Sequence, residues 1–144
     1  MSYTNNLEAV TDGLRTILYA EFKPRHVELN PAFEPDKMTH GEYIRYWVLD
    51  SYAERYADGE TRFYTVEVVL YFDMARRIQK TFDDVWSERI ERLQQVLMDN
   101  SSYTPSDTYT WHNINIRVEP VEKMEDTEVY TARLELEIAR GNNW

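Results

Sequence analysis

One long predicted β-hairpin constrains the fold of this chain more than any other stretch. The segment from Tyr43 to Met74 contains two apolar, alternating runs separated by Asp58-Gly59. An Asp-Gly pair is typical of a tight hairpin turn because the central residues of a type I′ turn adopt positive φ, which costs glycine little. The segment therefore predicts two long antiparallel strands joined at this pair.

The two strands of this hairpin differ in how their side chains alternate. In the second strand, one face is apolar and the other is mixed, as expected for a strand with one buried face. The apolar set is Tyr64, Val66, Val68, Leu70 and Phe72, and the mixed set is Phe63, Thr65, Glu67, Val69 and Tyr71. The first strand carries large groups on both faces, with Ile44, Tyr46 and Val48 on one and Tyr43, Trp47 and Leu49 on the other. We expect it to be covered on both sides, and another chain is one source of that covering.

Two amphipathic helices flank the hairpin in the sequence. The first is predicted from about Leu7 to Phe22, with Leu7, Val10, Leu14, Ile17 and Leu18 on its apolar face. The second is predicted to begin at Thr81. Its buried stripe is Phe82, Val85, Trp86, Leu93, Val96 and Leu97.

Two further strands complete the predicted fold. Alternation over residues 113–118 and 129–140 predicts a second hairpin, and the charged face of the last strand is typical of an edge or solvent-facing strand. Residues 23–42 and 99–110 are predicted to be irregular loops because they lack a period and contain prolines. This order of elements predicts an α+β fold, a two-layer sandwich in which an antiparallel sheet of about four strands carries two helices packed on one face.

Composition limits the class of protein. A length of 144 residues is typical of one domain, spanning residues 1–144. There is no cysteine, and the formal net charge is −10. That charge disfavours binding to nucleic acid or anionic lipid, which need a clustered positive field. The first ten residues lack a signal-peptide pattern and no apolar run reaches bilayer length, so we expect a soluble, unexported protein without a membrane partner.

The sequence carries no catalytic, phosphate-binding or metal-binding motif. His26 and His40 fall in the first loop outside any metal-ligand spacing, and His112 has no nucleophile marked beside it. The basic cluster Arg76, Arg77 and Lys80 lacks a nearby glycine-rich loop, which favours solvated charge or ion pairs over a phosphate site. We therefore predict a protein that is not an enzyme and uses no cofactor or metal.

The overall pattern resembles the tail terminator (tail completion) proteins of long-tailed bacteriophages, of the lambda type. The resemblance covers about residues 5–140 and is carried by RFYTVEVVLYFDMA, the second hairpin strand, and by the alternating YTARLELEIAR. It rests on element order and strand patterning rather than on an invariant motif. Other neck and head–tail joining proteins of phages share the same general plan.

The resemblance implies a virion protein of the tail or neck that is assembled in the host cytoplasm. Its expected partners are further copies of itself in a ring, a hexamer by analogy, together with the tail tube protein and the head–tail connector. Such a ring stops tube polymerisation and offers a surface to the head, and DNA passes its negative lumen without specific binding. Exposure reasoning selects these subunit-interface residues: Tyr43, Trp47, Leu49, Arg55, Tyr56, Met74, Arg76, Arg77, Trp111 and Trp144.

Two functions of other classes stay open. A small enzymatic or ligand-binding domain predicts a deep pocket lined by Trp111, His112 and several tyrosines, with at least one shifted pKa. An adaptor that adds a strand to a partner's sheet predicts a free, pairing-competent sheet edge and a monomer that binds one partner at a time.

Overall fold

The computed structural model describes residues 6–21, 27–29, 42–73, 86–100, 102–106, 109–119, 122–124 and 129–143. Within these ranges two helical segments accompany a β-sheet. The helices are α1 (Asn6–Glu21) and α2 (Glu91–Asp99), the latter preceded by a π-helical turn (Trp86–Ile90). The strands are β1 (Val27–Leu29), β2 (Glu42–Arg55), β3 (Gly59–Asp73), β4 (Ser102–Ser106), β5 (Tyr109–Val118), β6 (Glu122–Lys123) and β7 (Val129–Asn143).

The strands form one mixed sheet in the order β1-β2-β3-β7-β5-β4, with β6 also paired to β7. The four long strands lie in the order β2, β3, β7 and β5, each antiparallel to its neighbours, and the short β1 is parallel to β2. The predicted α+β fold with an antiparallel sheet of about four strands and two helices is therefore confirmed.

The long hairpin is confirmed, but its turn is centred one residue earlier than predicted. The Tyr56 N–H donates to the Gly59 C=O over 2.8 Å, so this hydrogen bond encloses Ala57 and Asp58. Gly59 already belongs to β3, where it lies opposite Asn143. The Asp-Gly pair thus marks the end of the turn rather than its centre.

Three short strands were missed because each lies in a stretch that reads as loop. β1 occupies three positions within the predicted loop 23–42, too few for a period to show, and residues 22–26 and 30–41 lie outside the described ones. β4 lies within the predicted loop 99–110 and contains Pro105, which is tolerated because β4 is at the sheet edge. The two-residue β6 extends the sheet beside β7.

The charged face of β7 left two alternatives open, an edge strand or a solvent-facing strand, and the first is excluded because β7 is central. It pairs with β3 along its whole length, from Val129 opposite Asp73 to Asn143 opposite Gly59, and with β5 and β6 on its other side. Its charged side chains lie on a partly exposed face, as the other half of the prediction expects. Alternation reports which face meets water and says nothing about which side of the strand is hydrogen-bonded.

One core joins the helices and the sheet. Four side chains of α1 and four around α2 belong to the same buried cluster as the predicted apolar face of β3 and the alternating apolar residues of β7. The helical members are Val10, Leu14, Ile17, Leu18, Ile90, Leu93, Val96 and Leu97. The placement of both helices on one face of the sheet stays a prediction.

Where the side chains are described, the helical stripes are confirmed with two corrections; Phe82 and Val85 lie outside the described residues, and of Trp86 only the backbone is described. Leu7, expected on the buried stripe of α1, is 49% exposed, whereas Ile90 is buried without having been predicted. Ile90 lies three residues before Leu93 and seven before Leu97, the regular spacing of an α-helical face, so the sequence did carry the signal for it. The Tyr19 hydroxyl donates to the Val27 C=O over 2.7 Å and ties α1 to β1. Residues 81–85, where the second helix was predicted to begin, lie outside the described ones.

Candidate assembly surfaces

The far end of the long hairpin is an exposed part of the sheet. We call residues 49–58 the hairpin arm; every one of them is exposed. The arm displays three large side chains, Leu49, Tyr52 and Tyr56, which are 49%, 57% and 49% exposed. The Tyr52 ring stacks on Phe63 at 4.8 Å, and the Tyr56 hydroxyl donates to the Thr61 hydroxyl, so both rings are held in place by β3.

A β-bulge at Leu49 separates the arm from the rest of β2. Val48 lies opposite Val66 and Asp50 lies opposite Thr65, so Leu49 is the extra residue. Because opposite residues share a face, Asp50 joins Thr65 on the mixed face, whereas regular pairing would place it on the apolar one. The bulge therefore keeps a carboxylate out of the core and leaves Leu49 without a cross-strand partner on β3.

A charged cluster closes the apolar face near the turn. The Glu60 carboxylate lies 2.6 Å from the Arg62 Nε and 3.9 Å from the Arg55 Nε. Glu60 is buried at 7% exposure, whereas the side chain of Arg55 is 72% exposed. Arg140 of β7 lies opposite Arg62 and is also buried. Because most of the Arg55 side chain is exposed to solvent, its ion pair with Glu60 adds little to stability.

A small second cluster covers the other face of β2. Tyr43, Val69 and Tyr71 are buried there, with Trp47, Met124 and Val129 packed against them. Arg45 is also buried, at 6% exposure, where its Nε donates to the Tyr71 hydroxyl over 2.6 Å. Its guanidinium lies 4.2 Å from the centre of the Trp47 ring, a distance typical of a cation–π contact. The second covering of this part of β2 thus comes from within the chain.

This second cluster corrects one predicted interface residue. Tyr43 is 0% exposed, so its side chain is not available to another subunit, and the expectation that it is displayed is wrong. Trp47 is half-buried. Exposure reasoning failed for Tyr43 because Met124 and Val129, more than fifty residues later in the sequence, cover it.

The remaining predicted interface residues divide into two groups. Leu49, Arg55 and Tyr56 are exposed and lie together on the hairpin arm. Met74, Arg76, Arg77 and Trp144 lie outside the described residues, and of Trp111 only the backbone is described, in β5 opposite Tyr103. Tyr52 was missed although it is more exposed than Leu49 or Tyr56. The change from apolar residues to Asp50-Ser51 was the signal that the apolar alternation of β2 ends there.

Two of the cavities among the described residues are lined mainly by charged side chains or by the two helices. One of about 260 Å³ is lined by Leu134 and by four charged side chains, Glu67, Glu119, Arg133 and Glu135. The Arg133 guanidinium donates to the Glu67 carboxylate there. The other, of about 240 Å³, lies between α1 and α2 beside Ile17, Arg92 and Asp99. Neither lining contains a serine, cysteine or histidine, and the first is best described as a charged surface of the mixed face.

Two tyrosines have raised pKa values because they belong to the core. Burial raises the pKa of Tyr46 to about 12 against the opposing effect of the nearby Arg15 guanidinium. Burial also raises the pKa of Tyr64, although Arg62 and Arg140 act in the opposite direction. Both are members of the main buried cluster, so these shifts report packing rather than a catalytic pocket.

Metal and membrane sites were sought in the described part of the chain. No group of three His, Asp or Glu side chains there is placed to hold a metal ion. Neither of the two helical segments described is long and apolar enough to cross a bilayer.

Comparison with known proteins gives no family for this chain. No protein-family model matches it, and no curated protein matches it. The resemblance to phage tail terminators therefore stays a prediction from strand patterning.

Proposed function

We propose that this protein is a structural protein of a phage virion that caps the head-proximal end of the tail tube as a ring. It stops tube polymerisation and offers a surface to the head–tail connector, and its role is assembly rather than catalysis. The observation that supports this proposal is the hairpin arm, a run of exposed residues with three large exposed side chains. A role as another neck adaptor uses the same arm.

The arm lies at one end of the described sheet, and all ten of its residues are exposed. The apolar face of β3 is buried from Tyr64 to Phe72, and the second cluster fills the mixed face around Tyr71. Residues 49–58 lie beyond both clusters. Exposed apolar side chains that are gathered in one place mark interaction sites more often than scattered ones do.

A ring sets a geometric requirement that the arm helps to meet. In a ring of identical subunits each copy offers two different surfaces, one to the neighbour on either side. An exposed arm that carries Leu49, Tyr56 and Arg55 is suited to contact the body of the next subunit. The half-buried Trp47, at the edge of the second cluster, continues this surface towards the centre of the sheet.

The charge of the chain agrees with a lumen that DNA traverses. A formal net charge of −10 repels the phosphate backbone, so DNA passes without adsorbing. The DNA is then cargo that moves past the ring rather than a ligand.

Electron microscopy of tail tubes tests the proposal directly. We expect the purified protein to bind the ends of tubes polymerised from the tail tube protein of the same phage and to limit their length. Leu49→Asp and Tyr56→Asp should abolish this capping. Leu7→Asp is the matched control, because Leu7 is as exposed as Leu49 but lies on α1. A protein that leaves tube ends bare and tube length unchanged contradicts the proposal.

A strand-adding adaptor is the second candidate, and one observation favours it. β1 pairs with β2 only at Ile44, Tyr46 and the residue between them, so among the described strands none lies on that side of residues 47–54. Such an edge suits β-augmentation by a partner. A monomer that binds one partner with a one-to-one mass, and forms no ring on tubes, would favour this candidate over the cap.

A further inference from the structure

One face of the hairpin arm combines an exposed aromatic ring with carboxylates. Opposite residues of β2 and β3 share a face, so the even-numbered residues of the arm lie on the same face as Phe63. They include Asp50, Tyr52 and Glu54, which are all exposed. Glu137 of β7 is exposed on that face in the same row of the sheet as Asp50. We call Asp50, Tyr52, Glu54, Phe63 and Glu137 the acidic–aromatic face.

The ring of Tyr52 is placed to receive a cation. Phe63 stacks on it with ring centres 4.8 Å apart, and more than half of Tyr52 is still exposed. The carboxylates two residues before and after Tyr52 lie about 7 Å away along the strand. A guanidinium against this ring would therefore lie between two carboxylates, where charge attraction and a cation–π contact act together. The chain makes such a contact in its second cluster, between Arg45 and Trp47.

The opposite face of the arm carries the complementary group. Successive side chains of a strand point to opposite faces, so Arg55 points away from the face of Tyr52. The side chain of Arg55 is 72% exposed, and that of Arg62, which lies opposite Ala53 on the same face, is 37% exposed. The ion pair of Arg55 with Glu60 is weak because it is long and solvated, so a second carboxylate can share this guanidinium.

We propose that the arms of neighbouring copies stack head to tail, with Arg55 of one copy on the acidic–aromatic face of the next. This inference rests on the proposed ring and names the chemistry of its subunit contact. The contact uses two different surfaces of one chain, as a ring of identical subunits requires. A second copy is the occupant of the acidic–aromatic face because the same arm carries the matching guanidinium.

Charge selects the head-to-tail contact over the two alternatives between copies. Two acidic–aromatic faces brought together would oppose the carboxylates of Asp50, Glu54 and Glu137 by the same three groups of the other copy. Two opposite faces brought together would place Arg55 and Arg62 against their own copies. Like charges placed together disfavour an interface, whereas the head-to-tail contact joins unlike charges.

Two variants that each disable one face test the contact by mixing. Asp50→Arg combined with Glu54→Arg reverses the acidic–aromatic face and keeps Arg55, whereas Arg55→Ala keeps the acidic–aromatic face. We expect the parent chain to associate beyond the dimer in analytical ultracentrifugation. Each variant alone should show at least a roughly tenfold rise in the dissociation constant. Their equimolar mixture should form dimers and nothing larger, because it contains one pair of intact faces.

Matched controls place the same charge changes outside the arm. Glu91→Arg combined with Asp99→Arg alters two exposed carboxylates of α2, and Arg15→Ala removes an exposed guanidinium of α1. Both controls should associate as the parent does. Circular dichroism checks that every variant folds. Should the double arginine variant of the arm fail to fold, Tyr52→Arg replaces it, since it places a cation at the centre of the same face.

The aromatic and electrostatic parts of the contact are measured separately. Tyr52→Leu should raise the dissociation constant about two- to fivefold, the effect of a solvent-exposed cation–π contact, whereas Tyr52→Phe keeps the ring and should match the parent. Raising the salt concentration from about 0.01 M to about 1 M shortens the Debye length from about 30 Å to about 3 Å and should remove the larger species.

Three results would overturn the inference. A parent chain that stays monomeric has no such contact, and arm variants that associate as the parent does place the contact elsewhere. A mixture that forms species larger than dimers means that the contact is not head to tail. Electron microscopy of tail tubes with the same proteins keeps the two proposals apart. Capped tubes with any of these three results refute the stacking alone, whereas the expected association with bare tube ends refutes the tail cap alone.

Discussion

The bulge at Leu49 makes a deletion there harmless to the fold, which is the opposite of what a deletion in a strand usually does. Removing Leu49 leaves Val48 opposite Val66 and Asp50 opposite Thr65, now as neighbours that alternate normally. No core side chain changes face. The fold loses only the buried half of one leucine, about 1 kcal/mol, given about 1.5–3 kcal/mol for burying such a side chain completely.

Deleting Thr65 from the same row of the sheet is the matched control. β3 is paired on both sides, so a one-residue slip turns every following side chain to the opposite face. Four side chains at 0% exposure would leave the core: Val66, Val68, Leu70 and Phe72. At about 1.5–3 kcal/mol each the loss is about 6–12 kcal/mol, comparable with the whole stability of a domain, about 5–15 kcal/mol.

Chemical denaturation followed by circular dichroism distinguishes the two deletions. We expect the Leu49 deletion to unfold cooperatively with a slightly lower midpoint, and the Thr65 deletion to show no cooperative transition. The Leu49 deletion should also fail to cap tail tubes, because the arm loses one of its displayed side chains. An unfolded Leu49 deletion, or a Thr65 deletion as stable as the parent chain, would refute the reasoning from register.

Three further substitutions test the core. The raised pKa of Tyr46 favours the neutral phenol in the folded state, so the contribution of this phenol to stability is present below pH 10 and is lost as the pH rises to about 12. The free energy of unfolding should therefore fall by an amount on the order of 2 kcal/mol over that interval, and Tyr46→Phe should remove this fall. Tyr71→Phe removes the hydroxyl that accepts a hydrogen bond from the buried Arg45 and should lower the free energy of unfolding by about 1–3 kcal/mol. Leu97→Ala, at 0% exposure, should cost about 2–5 kcal/mol, whereas Met98→Ala beside it should cost under about 1 kcal/mol.

Each of these three expectations has an outcome that contradicts it. If the stability of Tyr46→Phe falls at alkaline pH as much as that of the parent chain, the fall comes from the ionisation of other groups. For Tyr71, an unchanged midpoint would mean that Arg45 finds another acceptor at no cost. Equal losses for Leu97→Ala and Met98→Ala would mean that Leu97 does not lie on the buried face of α2. Equilibrium denaturation at fixed pH measures the last two, and a series from pH 8 to 12 measures the first.

The sequence predicts the faces of the strands well because alternation records burial directly. The apolar face of β3 and the alternating residues of β7 from Ala132 to Ile138 are buried as expected. Strand order was harder to predict, because hydrogen bonding between backbones leaves no period in side chains. The charged face of β7 therefore left an edge position open, although β7 lies between β3 and β5. Short strands such as β1 are not predicted, because three residues are too few to show an alternation of side chains.

The candidate site was predictable in part, for the same reason. Leu49, Arg55 and Tyr56 were selected from local sequence, and local sequence decides their exposure because the arm leaves the core. The burial of Tyr43 depends on Met124 and Val129, which are distant in the sequence and contact it only in the folded protein. The bulge was also hidden, since a single extra residue leaves both flanking runs looking regular. Tyr52 was missed on that account.

The central place of β7 has a consequence for how the protein is made. A ribosome delivers β2 and β3 first, so the long hairpin emerges with one full side of β3 unsatisfied until residues 129–143 follow. During that interval the nascent chain exposes Val66, Val68 and Leu70 next to an open strand edge, the combination that invites misassociation. Holding chaperones that cover this edge, or faster translation across the second half of the message, would therefore raise the yield of native protein.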